Sequence, residues 1–217
     1  MPLTDLRRLT SGPWWTVAAI LIGNLIPVLG VAFLGWDAAQ ILILYWAENI
    51  VVGVLTLPRI LSARGMRVGP GQPPSSPLAV GCFFIVHYGV FCIGHLVFAM
   101  MLAVDLVEAD GLGGDVWSRT FGSTAFLWAV LGIAMVHLIM QIRDWWWVRA
   151  WRDAEPTLEM FRPYGRIFVL HLTVLVGAWL MLTLHAPAWT VLLLCLGKAM
   201  LELVGAVLTD RISLQRA

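Results

Sequence analysis

Apolar residues along this chain fall into six long runs, at about 14–35, 37–60, 78–104, 120–142, 165–186 and 188–209. Each run reaches the length of roughly 20 residues that an α-helix needs to cross the hydrocarbon of a bilayer. Between them lie short stretches richer in charge, glycine and proline. The pattern predicts an all-α polytopic membrane protein, a single domain over residues 1–217 built as a bundle of six transmembrane helices. The run from Val17 to Leu34 is long enough to span, and no small-residue cleavage pattern follows it, so it reads as a retained first helix.

The breaks between runs differ in character. Gly35-Trp36-Asp37 and His185-Ala186-Pro187 leave room only for tight turns, which predicts antiparallel hairpins at both ends of the chain. Residues 62–77, SARGMRVGPGQPPSSP, cannot hold a regular helix and read as an exposed linker. In 143–162, Trp145, Trp146, Trp147 and Trp151 interleave with Arg143, Arg149 and Arg152, a mixture suited to lying in the headgroup region. Pro27, one turn after Asn24, predicts a kink in the first helix.

Composition sharpens this reading. Hydrophobic residues make up 60% of the chain and charged ones 12%, with a mean hydropathy of +0.85. A soluble domain carries roughly 25% charged residues. Twelve Trp against three Tyr fit aromatic belts. A net charge of +1 supplies no global basic field for nucleic acid. The three cysteines, Cys82, Cys92 and Cys195, lie in apolar runs and form no disulfide framework.

Basic residues also orient the chain. With the N-terminus in the cytoplasm, twelve of the fourteen Lys and Arg fall in cytoplasmic segments and only Arg119 in an outer loop. Lys198 lies mid-helix. Such a bias predicts a multi-pass protein of the cell membrane with both termini cytoplasmic.

Against this background the ionisable residues inside the spans stand out. Counting along each helix places Glu48, His87, His137, His171, Lys198 and Glu202 between the midplane and the cytoplasmic side, on five helices. His95 falls toward the outer half, roughly 12 Å along the axis from His87. A charge at the centre of a lone span costs about 2.5–3.5 kcal/mol on the insertion scale, so these groups are expected to face one another or a wet cavity. On the sixth helix Lys198 and Glu202 stand four apart and can pair. His137 can pair with Gln141 in the same way.

YWAEN at 45–49, FFIVHYGVFCIGH at 83–95, PYGRIFVLH at 163–171 and the segment from Lys198 to Asp210 resemble domain-of-unknown-function family 6498, prokaryotic integral membrane proteins without an assigned activity. The resemblance covers about helices two to six. It implies a compact multi-helix membrane domain whose motif residues include Glu48, His87, His95 and His171, and it implies no reaction.

Four functions fit these residues. Glu48, His87 and His171 make a two-histidine, one-carboxylate set suited to zinc or iron, with His95 and His137 as lesser candidates. Metal-activated water there could act on a lipid-like or small-molecule substrate, with Glu48, Lys198 and Glu202 as candidate catalytic groups. Alternatively, Glu48, Lys198 and Glu202 form a titrating relay in a proton-coupled transporter of a small molecule or ion. A b-type haem between His87 and His171, or a non-catalytic assembly factor in which polar groups only fix helix register, are further readings. The bilayer is the common partner of all four.

Overall fold

A computed structural model describes residues 13–65, 75–109, 115–184 and 195–204, and the described residues are helical with no strand. In chain order they form α1 (Pro13–Leu34), α2 (Ala38–Ser62), α3 (Pro77–Ala109), a short α4 (Val116–Phe121) and α5 (Thr124–Gln141). A π-helical turn (Ile142–Trp147) and a 3-10 turn (Ala150–Arg152) lead into α6 (Pro156–Leu184). Residues 195–204 form the last described helix, α7. Among the described residues, four helices are long and apolar enough to cross a membrane: Val17–Leu34, Ala38–Ser62, Pro77–Asp105 and Thr124–Trp147. Most of the linker, the turn at 185–187 and much of the expected sixth run lie outside the described residues.

The α2 helix is the axis of the bundle. Over half of its membrane-length window, 56%, is buried, against 17–28% for the other three. It packs against α3, α5 and α6, and α3 also packs on α6. The first helix runs unbroken through Pro27 and lies mainly along α5. Outward faces of α1, α3 and α5 carry exposed leucine, isoleucine, valine and methionine, such as Leu25, Val90, Ile93 and Met135. Large apolar faces of this kind match a lipid surround.

Two apolar clusters hold α2 at its ends. Near its start, Trp36, Ile41, Leu44 and Tyr45 pack with Ala99, Leu102, Phe126, Ile133 and Cys195. Near its end, Ile60 packs with Phe84, Tyr88, Cys92, Met160 and Ile167. Gly53 makes the second approach possible, since a Cβ there would sit 2.3 Å from the Tyr88 ring. Tyr88 then donates its hydroxyl hydrogen to Asn49 O at 2.8 Å. Glu48, Asn49 and Thr56 lie between these clusters.

Asp37 caps α2. Its side chain accepts from Gln40 N at 2.9 Å, while Gln40 Oε1 accepts from Asp37 N at 3.2 Å. Arg119, the single basic residue of the expected outer loops, donates to Asp37 Oδ2 at 2.9 Å. Gln40, which helical spacing puts on the face of Glu48, is therefore committed to the cap. Asp37→Ala should lower stability by about 1–2 kcal/mol through loss of cap and ion pair, and Asp37→Asn by less, read from thermal unfolding in detergent.

The structure moves one boundary. The helix expected from about 165 begins at Pro156, so the second half of the 143–162 segment is the first two turns of α6. Its polar start is satisfied by partners: Glu159 accepts from Arg59 Nε at 2.7 Å and lies 3.5 Å from Arg162 Nε.

Candidate functional site

Residues from α1, α2 and α7 meet at Lys198. Its ammonium, 3% exposed, lies 3.0 Å from Glu48 Oε2, 3.1 Å from Glu202 Oε1 and 3.3 Å from Asn24 Oδ1. An ammonium has three N–H donors, and here three acceptors meet them. The face of Tyr45 lies 4.8 Å from the same nitrogen, adding a cation–π contact. The Tyr45 hydroxyl sits beside the Cys195 thiol and makes no hydrogen bond of good geometry among the described residues.

The remaining oxygens are also occupied. His137 Nε2 lies 3.2 Å from Glu48 Oε1. Asn24 Nδ2 donates to Glu202 Oε2 at 2.8 Å and to Ile20 O at 2.9 Å. The cluster thus joins α1 through Asn24, α2 through Glu48, α5 through His137, and α7 through Lys198 and Glu202. Among the described residues its charges are two carboxylates and one ammonium, with the His137 ring against one of the carboxylates. The Lys198–Glu202 pair expected from i, i+4 spacing is present. His137, however, turns to Glu48, while Gln141 donates to Leu55 O at 2.7 Å.

The other expected members lie elsewhere. His87 is exposed on α3 and shares a 2.7 Å hydrogen bond with Tyr164 of α6. His171, seven residues and so roughly 10 Å further along α6, faces His95, with ring centroids 5.0 Å apart. Asn49 Nδ2 lies 3.4 Å from His95 Nδ1. An amide nitrogen only donates, so His95 carries its proton on Nε2 in this arrangement. Phe91 and Phe98 flank His171, whose Nδ1 is buried without a hydrogen-bond partner among the described residues.

The expected set Glu48, His87 and His171 is therefore divided among three places. Among the described residues, no three His, Cys, Asp or Glu side chains gather so as to hold a metal ion. The axial pair for a haem is likewise split, because His87 sits at Tyr164 and His171 at His95. Depth explains part of the difference. The α3 helix runs from Pro77 to Ala109, so its middle falls between Phe91 and His95, and His95 rather than His87 reaches the level of Asn49. Azimuth explains the rest: Glu48 and Asn49 are adjacent on α2, about 100° apart, and face different neighbouring helices.

Asn24 is the member of the charged cluster that sequence reasoning misses. Its signal is an amide on an otherwise apolar helix, and the nearby Pro27 offers a competing explanation for a polar group there.

Residues 6–217 match the family of unknown function DUF6498, and the chain belongs to that family. No curated protein and no solved structure matches it.

Proposed function

We propose that this member of the family is a proton-coupled membrane transport protein, with Glu48, Lys198, Glu202 and His137 as its proton-binding site. The supporting observation is the buried Lys198 ammonium shared by two carboxylates, one of which also holds a histidine. With His137 neutral, two carboxylates and one ammonium are what the described residues bring to this low-dielectric place, a net negative charge among them. A proton on His137 or on a carboxyl removes it. Charge at that depth is costly, so proton occupancy sets how tightly the four helices hold together.

The step is a simple exchange. A proton on the His137–Glu48 pair balances the cluster and keeps α5, α2 and α7 joined. Its departure removes the charge-assisted contact between His137 and Glu48, which weakens the α5–α2 link. A solute crossing between those helices would be coupled to that loosening. In this reading the bundle has six spans with both termini cytoplasmic, on the Lys and Arg distribution. The solute is a small molecule or ion.

Proton uptake tests the proposal. Full-length protein in liposomes, titrated between pH 5 and 8 with a pH-sensitive dye and followed by infrared difference spectroscopy, should take up about one proton per chain. Glu48→Gln and His137→Gln should each abolish that uptake and its carboxyl or imidazole bands. Equal uptake by wild type and both variants would defeat the reading and leave the cluster as a fixed brace between helices.

A further inference from the structure

The end of α2 meets the segment after α5 through backbone contacts. Arg64 N donates to Trp151 O at 2.8 Å, and Gly65 N donates to Ala154 O at 2.8 Å. A Cβ on residue 65 would lie 2.3 Å from Asp153 O, so this close crossing requires glycine. The crossing brings two arginines to one indole. The guanidinium of Arg64 lies 5.0 Å from the Trp151 ring centroid and that of Arg152 lies 5.2 Å from it.

Two like charges on one ring call for an anion, and the described residues do not supply one. Three other arginines of this end have carboxylates: Arg59 and Arg162 meet Glu159, and Arg143 meets Asp144 at 2.6 Å. Neither Arg64 nor Arg152 has an ion pair among the described residues. Both are exposed, as is Arg149, which adopts a left-handed backbone (φ 59°) between the π-helical and 3-10 turns. In the same stretch Trp146 and Trp147 are 44% and 59% exposed, beside exposed Val148.

We infer that Arg64, Trp151 and Arg152 form a binding site for the headgroup of an anionic phospholipid. Guanidinium groups donate to phosphate oxygens in a fixed fork, and stacking on Trp151 holds that fork open. Exposed indoles at Trp146 and Trp147 suit the adjacent interface, where the glycerol and upper acyl carbons lie. A zwitterionic lipid offers the same phosphate with its charge cancelled, so the site distinguishes the two by net charge. The headgroup site is independent of the proton-binding cluster, which lies in the interior of the bundle.

Reconstitution of the full chain in mixtures of phosphatidylcholine and phosphatidylglycerol, one of them brominated, tests it through tryptophan quenching. Wild type should show a relative binding constant favouring phosphatidylglycerol by roughly 30-fold, the scale set by two basic residues near an anionic surface. The preference should fall with added salt. Trp151→Phe should remove the lipid-selective part of the quenching. Arg64→Gln with Arg152→Gln should bring the constant close to one while the thermal midpoint in phosphatidylcholine stays unchanged. Equal quenching by both lipids in wild type, a salt-independent preference, or an undiminished preference in the double variant would overturn the assignment. Should the double variant fail to fold, Arg152→Gln alone and the salt series decide it.

Discussion

Lys198→Met is expected to destabilise the protein by about 3–5 kcal/mol, the loss seen when one partner of a buried ion pair is removed. The methionine fits the volume of the lysine stem, so packing is largely kept. What remains is the difficulty: Glu48 and Glu202 lose the cation between them, and Asn24 Oδ1 loses its donor. Each of these buried acceptors would lose a donor, and an acceptor left short of one in a buried place costs about 1–3 kcal/mol, more for a charged group. Tryptophan fluorescence during thermal unfolding in detergent reads the loss directly. A Lys198→Met protein with a wild-type midpoint would mean that the ammonium does not compensate the two carboxylates.

The helices themselves are legible in the sequence, because runs of apolar residues long enough to span a bilayer admit few other structures. Their ends are less so. The polar stretch PTLEMFRPYGR reads as an interfacial segment only while Glu159 is thought of as solvated. Once Arg59 of α2 meets it, those residues become the first turns of α6. A partner from another helix turns polar residues into buried ones, and sequence spacing does not name the partner.

The same limit governs the site. Counting residues fixes height within one helix but not the axial offset between helices, so it puts His87 level with Glu48, whereas His95 is the histidine that meets Asn49. Glu48, Lys198 and Glu202 are legible because charges at that depth need one another, whatever the packing. Counting gives His137 the right height but pairs it with Gln141 in place of Glu48. Asn24 is recognised only when α1 brings it against Glu202.

Replacing all three charges separates the brace from the proton site. The variant Lys198→Met with Glu48→Gln and Glu202→Gln removes the ammonium and both carboxylates together, keeping side-chain lengths nearly constant. Neutral isosteres of a buried charged group are often as stable as the original, since the desolvation penalty disappears along with the attraction. The new amide at position 48 can still hydrogen-bond His137, and the one at position 202 can still pair with Asn24. The triple variant should therefore recover most of the stability lost in Lys198→Met. It should nevertheless take up no proton between pH 5 and 8 and drive no proton flux into liposomes under an imposed membrane potential. Recovery of stability with loss of uptake assigns the charges to transport. Wild-type uptake in the triple variant would place the exchangeable proton elsewhere and remove this cluster from the mechanism.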